Sequence, residues 1–202
     1  MDVYFKKEII YPFEGEKFKF DVGNTLFSTF DLDNGTDILL RTIVPNNPKS
    51  ILDIGCGYGP IGIVLAKKNP QAQVTMIDKD LLAVRYAKLN IEKNTIHNAD
   101  VLGSVGMEQI MDKTFDLIVS NIPAKIGDEA IIQDFILIPF EHLNPGGELW
   151  IVIINALNRL IPKIKRQYFE QGEKQGPPYQ LNIKKAKKRS GHSVYRIKKP
   201  IT

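Results

Sequence analysis

The chain has 202 residues, a formal net charge of +4, 43% hydrophobic and 25% charged residues, ordinary values for one globular domain with a single large core. No apolar run approaches the ~18 to 20 residues of a membrane span, and Met1-Asp2-Val3-Tyr4 lacks the basic-then-apolar pattern of a signal peptide. The lone cysteine, Cys56, excludes an internal disulfide and points to a reducing cytoplasm; His97, His142 and His192 are scattered, so no metal is expected.

Residues 1–34 are polar, aromatic and strand-like, as in Tyr4-Phe5-Lys6 and Phe18-Lys19-Phe20. They read as a short β-rich cap, distinct from the body over residues 35–202 but part of the same domain. The cap leads into Leu26-Phe27-Ser28. Asp33-Asn34-Gly35-Thr36 reads as a turn and a helix start, with Thr36 or Asp37 available as the cap. Ile38, Leu39, Leu40, Ile43 and Val44 would be the buried face of that helix.

From residue 50 onward short apolar runs alternate with helical periodicity. Strands are expected at 51–54, 73–78, near 96–99, 115–120 and 148–154. Helices are expected at 60–69, 81–93, 129–142 and 157–170. That alternation predicts a Rossmann-like, doubly wound and mostly parallel α/β sheet. Two further strands, near 179–186 and 193–198, flank the turn Arg189-Ser190-Gly191-His192 and close a seven-stranded sheet with an antiparallel hairpin. A plain dinucleotide-binding domain lacks such a hairpin.

The most informative stretch is Ile51-Leu52-Asp53-Ile54-Gly55-Cys56-Gly57-Tyr58-Gly59. An apolar strand runs into a carboxylate and then three alternate glycines, so a ligand can lie on bare backbone at a helix N-terminus. Gly57-Tyr58-Gly59-Pro60-Ile61-Gly62 formally matches the dinucleotide fingerprint G-x-G-x-x-G, which alone is weak evidence. A pyrophosphate gains less from a carboxylate beside it. S-adenosylmethionine carries a sulfonium and an ammonium, and Asp53 can meet the ammonium directly or through water. Pro60 suits the first helical turn, where its missing N–H costs nothing. Cys56 reads as a small residue under the cofactor rather than a nucleophile.

Gln73-Val74-Thr75-Met76-Ile77-Asp78 ends in an acid about 20 residues past the glycines, where a carboxylate can take both ribose hydroxyls. The bland alternative makes Asp78 a helix cap. The run Phe115-Asp116-Leu117-Ile118-Val119-Ser120 ends in Asn121-Ile122-Pro123-Ala124. Asp53, Asp78, Asp100 and Asn121 each end a predicted strand, so four polar residues are expected on the rim where doubly wound sheets bind ligands.

On these motifs the chain resembles a class I S-adenosylmethionine-dependent methyltransferase of the "methyltransferase small domain" family. That group includes ribosomal RNA guanine-N2 methyltransferases and stand-alone archaeal relatives. The matching residues are Asp53 to Gly62, Asp78 and Asn121-x-Pro123. Leu26-Phe27-Ser28, Asp33-x-Gly35-Thr36, Leu143-Asn144-Pro145-Gly146-Gly147-Glu148-Leu149-Trp150 and the Gly191 to Arg196 tail agree. The resemblance runs from about residue 16 to residue 199. It implies a cofactor site of Asp53, Gly55, Cys56, Gly57, Gly59, Asp78, Lys79, Asp100, Val101 and Asn121, with Asp100 accepting from the adenine amine and Val101 packing on its face. It implies catalytic roles for Asn121, Ile122 and Pro123: the Asn121 side chain and the Ile122 carbonyl hold an amine, and Pro123 keeps the residue before it extended. The N-terminal cap would close over the cofactor or help form the substrate pocket, with Phe27 and Ser28 at the substrate. The family pattern is Asn-Pro-Pro followed by a large apolar residue. Here Ile122 and Ala124 depart from it, and a stacking face is missing at 124.

Charge is uneven. Residues 143–202 carry 13 Lys and Arg against 3 Asp and Glu, a balance of +10; the other 142 residues carry −6. Lys184-Lys185-Ala186-Lys187-Lys188-Arg189 and Arg196-Ile197-Lys198-Lys199 are the densest groups, and Lys187, Lys188, Arg189 and Arg196 are the candidates for phosphate contact. The leading expectation is methyl transfer to an exocyclic amine of RNA, guanine N2 of ribosomal RNA first, by a monomer or homodimer. The alternatives are a protein glutamine-amide methyltransferase, whose acceptor nitrogen is delocalised in the same way, and a non-catalytic RNA-binding module on a methyltransferase fold. An NAD-dependent oxidoreductase would need an acid/base site, and no Tyr-x-x-x-Lys or suitable histidine presents itself.

Overall fold

The computed structural model describes residues 2–24, 26, 32–166 and 181–201. The expectations for Phe27 and Ser28 fall outside them. Strands β1 (Phe5–Phe13) and β2 (Glu16–Gly23) form an antiparallel hairpin. Its inward residues Ile9, Tyr11, Phe13, Phe18, Phe20 and Val22 are buried at every second position, the period a half-buried strand requires.

The body is a seven-stranded sheet in the order β5-β4-β3-β6-β7-β9-β8. Its strands are β3 (Ser50–Ile54), β4 (Gln73–Asp78), β5 (Ala99–Gly103), β6 (Phe115–Asn121), β7 (Leu143–Ile154), β8 (Asn182–Arg189) and β9 (His192–Lys198). The pairs from β5 through β7 are parallel; β9 runs antiparallel to both β7 and β8. The chain leaves β3 to one side for β4 and returns on the other side as β6, so the topological switch lies at the centre of the sheet. One face packs under α1 (Asn34–Leu40), α2 (Pro60–Lys68), α3 (Leu81–Lys93) and the hairpin. The other packs under α4 (Asp128–Ile132), α5 (Ile138–Glu141) and the turns after β7. Among the described residues no helix is long and apolar enough to cross a membrane.

Several boundaries differ from expectation for local reasons. The cap of α1 is Asp33, whose side chain accepts from the Thr36 N–H at 3.2 Å; neither Thr36 nor Asp37 does this. The helix expected over 129–142 is two short α-helices joined by a π-turn at Gln133–Leu137. Pro139 has no N–H for the carbonyl four residues back, so the i→i−4 ladder fails there. The segment expected as helix 157–170 begins as a 3-10 turn at Asn155–Arg159 and is helical over 160–166, the rest lying outside the described residues. The third strand, expected near 96–99, begins where it should have ended, at Ala99.

Two asparagines tie the hairpin to the body. Asn90, fully buried on α3, donates through Nδ2 to the Asp21 carbonyl at 3.0 Å and the Tyr58 carbonyl at 2.8 Å, and accepts from the Asp21 N–H at 2.7 Å. One turn later Asn94 accepts from the Lys19 N–H at 2.9 Å and donates to the Lys19 carbonyl at 2.7 Å. The pair, spaced i and i+4 on one helix face, supplies the free edge of β2 with the partners another strand would offer. Tyr58 of the glycine loop adds an edge-on contact with Phe20, their centroids 5.9 Å apart.

Candidate active site

The carboxyl ends of β3, β4 and β6 meet at one rim. Gly55, Gly57 and Gly59 all have positive φ (69°, 57° and 96°), a conformation that glycine adopts without strain. Gly59 caps α2 and Pro60 starts it, as expected. A Cβ on Gly57 would meet nothing within 4 Å, so the loop presents open backbone on that side. Gly62 serves packing: a Cβ there would lie 2.3 Å from the Met76 sulfur. Cys56 is buried, and burial pushes its thiol well above the usual range, which fits a spacer and not a nucleophile.

Asp53 is 0% exposed. Its Oδ2 accepts from the Gly62 N–H at 2.9 Å, while its Oδ1 is buried without a hydrogen-bond partner among the described residues. Burial raises its pKa to about 7, the Gly62 N–H offsetting part of that rise and the nearby Asp78 adding to it. Such an orphaned acceptor calls for a cationic N–H donor or a water held by one. Asp78 accepts from the Gly57 N–H at 2.8 Å through Oδ2 and from the Asp80 N–H at 2.9 Å through Oδ1. The cap of α3 is Asp80, which accepts from the Leu82 N–H at 2.8 Å, so the capping role read for Asp78 belongs two residues later. Asp78 holds the glycine loop and stands half-buried at the rim, with Lys79 exposed beside it.

The fourth expected rim residue is elsewhere. Asp100 is the second residue of β5, pairs with Thr75 and accepts from the Gln73 side chain at 3.0 Å, near the amino end of the sheet. Val101 points into the core between the sheet and α2 and α3. Neither faces the rim, because the strand begins, rather than ends, at these residues. β5 ends at Gly103, and the N–H of the next residue, Ser104, donates to the Asp78 carbonyl at 2.9 Å. Next to them stand two exposed apolar side chains, Val105 at 60% and Leu81 at 74% exposure, with Leu81 reaching over Gly103. This apolar seat beside Asp78 was missed in the sequence, where neither residue carries a periodic signal. Phe135, from the π-turn, approaches Gly55 from the other side.

Asn121 ends β6. Its Nδ2 donates to Asp33 Oδ2 at 2.7 Å and to Thr36 Oγ1 at 3.1 Å, so both amide hydrogens are engaged. No described residue donates to its Oδ1, which therefore stands as an available acceptor. Ile122 is tied to the body through its side chain and its N–H. Its side chain is buried in the opposite core and its N–H donates to the Val152 carbonyl at 3.0 Å, a bond that a proline could not make. Pro123 and Ala124 are exposed.

The basic residues divide. Lys187, Lys188 and Arg189 are exposed on β8, the edge strand, and Arg189 pairs with His192 at the rim end of the hairpin. Arg196 lies four residues further along β9, 3.6 Å from Glu148 and stacked over Trp150. The structure does not bring it to the rim, since its charge is spent on the sheet surface. A cavity of about 840 Å³ lined by Lys165, Leu181, Lys198 and Lys199 lies at the amino end of the same hairpin, away from the glycine loop. The described residues hold no cluster of His, Cys, Asp or Glu able to bind a metal.

The glycine loop, Asp53 and Asn121 all fall within a stretch of the chain that matches one family. The description of the methyltransferase small domain fits residues 17–174. The chain belongs to that family of class I S-adenosylmethionine-dependent methyltransferases. It is 38% identical over 147 residues to the ribosomal RNA small subunit methyltransferase C of Haemophilus influenzae, covering 71% of this chain and 43% of the relative. The chain thus spans a little over two fifths of that relative's length. It is 34% identical to Bacillus subtilis YbxB over 145 residues, 71% of this chain and 72% of that one. Among solved structures, the T. thermophilus 16S rRNA N2 methyltransferase RsmC, in complex with AdoMet and guanosine, has a TM-score of 0.78 at 22% identity over 96% of this chain and 50% of that one, a likeness of fold. A methyltransferase from Pyrococcus furiosus has a TM-score of 0.63 at 27% identity, covering 82% and 81%. The fold expected from the sequence is the one observed.

Proposed function

We propose that this protein transfers the methyl group of S-adenosylmethionine to an exocyclic base amine of RNA, with guanine N2 of ribosomal RNA as the acceptor. The observation that carries this reading is the orientation of Asn121. With both amide hydrogens held by Asp33 and Thr36, its Oδ1 is left without a donor among the described residues, which supports a role as an acceptor. An aryl amine is a poor nucleophile because its lone pair is delocalised into the ring. An acceptor that holds one amine hydrogen turns that lone pair out of the ring plane and stabilises the positive charge developing on nitrogen. The transfer needs no acid for its leaving group, so the work of the chain is positioning and charge placement.

S-adenosylmethionine, when bound, supplies an electrophilic methyl on a sulfonium. The residues present fit it: Asp53 Oδ1 lacks a donor that the ammonium, or a water on it, would provide. Asp78 is placed for the ribose, and Leu81 and Val105 offer apolar surface for the adenine. Asp100 and Val101 take no part in this proposal. The fit of Lys187, Lys188 and Arg189 on an exposed edge favours RNA over a protein acceptor, although lysines on an edge strand also prevent strand pairing with another chain. The H. influenzae relatives named for ribosomal RNA methylation support the RNA class.

The test is methyl incorporation from labelled S-adenosylmethionine into ribosomal RNA, followed by digestion to nucleosides. Label in N2-methylguanosine is expected. Label confined to protein would overturn the RNA reading, and label in another nucleoside would overturn the guanine reading.

A further inference from the structure

The turn that joins β8 to β9 brings a second side chain to the Gly35 position that Asn121 also borders. Ser190 and Gly191 both have positive φ (47° and 78°), the geometry of a two-residue hairpin turn. The turn is pinned, since the Asn155 N–H donates to the Gly191 carbonyl at 2.8 Å. Beneath it the buried Ser193 donates to Asn155 Oδ1 at 2.9 Å and accepts from Asn158 Nδ2 at 3.2 Å, while Tyr195 OH donates to Asn158 Oδ1 at 2.9 Å. The residue these bonds hold in place is His192. Its Cδ2 lies 3.1 Å from where a Cβ on Gly35 would be, and Asn121 Oδ1 lies 3.2 Å from the same point. A side chain at Gly35 would crowd both of them over the first turn of α1.

His192 Nδ1 is 2.9 Å from the Ser190 carbonyl. A carbonyl can only accept, so Nδ1 carries the hydrogen of that bond. In the neutral ring Nε2 is then an acceptor. Nε2 is bonded to Cδ2, the atom turned toward Gly35 and Asn121. Both side chains thus border Gly35, Asn121 through its Oδ1 and His192 through the ring edge that carries Nε2. Guanine presents two adjacent donors, N1–H and the N2 amine. Adenine and cytosine present an amine beside a ring nitrogen that accepts, which would face His192 Nε2 with no hydrogen between them.

We infer that His192 is the specificity-determining residue of the acceptor site, taking the N1–H of guanine while Asn121 takes the N2 amine. This rests on the guanine reading above. It also gives the site a base contact that Ala124 cannot supply.

The experiment compares wild type, His192→Phe and His192→Gln with transcribed small-subunit ribosomal RNA and labelled S-adenosylmethionine. Phenylalanine keeps a ring and removes the acceptor; glutamine restores an acceptor on a flexible stem. His192→Phe should lose about 10- to 100-fold in kcat/KM, the range for one lost specific hydrogen bond, and His192→Gln should recover most of it. Cofactor affinity and melting temperature should stay at wild-type values in both. Full activity in His192→Phe, or equal loss in both variants, would overturn the inference. The guanine reading is judged separately on the wild type: N2-methylguanosine in its RNA sustains that reading whatever the variants do, and its absence removes both.

Discussion

Asp33 Oδ2 accepts from Asn121 Nδ2 at 2.7 Å across 88 residues of chain. The same oxygen caps α1 through the Thr36 N–H. One carboxylate therefore starts a helix and chooses which end of an amide faces the substrate. An amide that could rotate freely would offer its donor as often as its acceptor.

Asn121→Ala should leave the cofactor bound and stop the transfer. The expected loss is about 10²- to 10³-fold in kcat, the scale for removing one oriented group from a charge-developing step. Calorimetry should return a cofactor affinity within a few-fold of wild type, and turnover equal to wild type would end the assignment.

Asp33→Asn separates the two tasks of that carboxylate. Asparagine caps helices as well as aspartate does, so the melting temperature should move little. An amide oxygen in the place of Oδ2 can accept the same two bonds, but as a neutral acceptor it holds the Asn121 amine less firmly than a carboxylate does. The transfer rate should fall about 5-fold, the difference between a charged and a neutral acceptor. A rate unchanged in a correctly folded Asp33→Asn variant would show that Asn121 needs no such hold.

Asp53 should make cofactor binding depend on pH. Its pKa in the folded protein, about 7, lies above its ordinary 3.8. The folded state therefore holds this proton more tightly than the unfolded one. Stability from this group is full at pH values below 3.8 and is lost as pH rises through 7. An ammonium partner favours the charged carboxylate, so affinity should rise from pH 6 to pH 7.5 and binding should release a proton. Calorimetry in buffers of different ionisation enthalpy measures that release. Asp53→Asn should raise the melting temperature at pH 8, where the aspartate is charged and buried, while weakening the cofactor at least tenfold. Higher affinity in that variant would refute the ammonium role.

Asn90→Ala should be costly although no ligand touches it. It strands the Asp21 N–H and the Asp21 and Tyr58 carbonyls in the interior, each worth about 1–3 kcal/mol when unsatisfied. Denaturant unfolding should show a loss of about 2–4 kcal/mol, with proteolysis of β1 and β2 ahead of the body. A loss under half a kilocalorie would mean water replaces the asparagine.

Changing Lys187, Lys188 and Arg189 together to Gln should weaken RNA binding and flatten its salt dependence, lowering the slope of log K against log salt by about 2 to 3. Arg196→Gln should do neither, because Glu148 and Trp150 already hold that guanidinium. Filter binding across a salt series distinguishes the two, and a slope unchanged in the triple variant would remove β8 from the RNA face.

Local pattern carried much of the fold into view. Alternating apolar runs marked the strands because a sheet covered on both faces needs unbroken apolar segments. Positive φ demanded Gly55, Gly57 and Gly59, and Pro60 could start α2, so the glycine loop was legible as written. Asp53, Asp78 and Asn121 were legible too, since each stands at or next to a strand's carboxyl end. Asp100 was not, because a short strand can slide by several residues without changing its apolar content, and only pairing with β4 settled where β5 begins. The sequence by itself determined the class of fold, the cofactor loop and the identity of the rim carboxylates, all set by interactions within a few residues. The tertiary structure alone decided which atoms of those residues are free. Asp33, Thr36, Asn90 and His192 act through partners 32 to 88 residues away or across an unfilled Gly35, and no local rule of spacing encodes a bond that exists only once the sheet has closed.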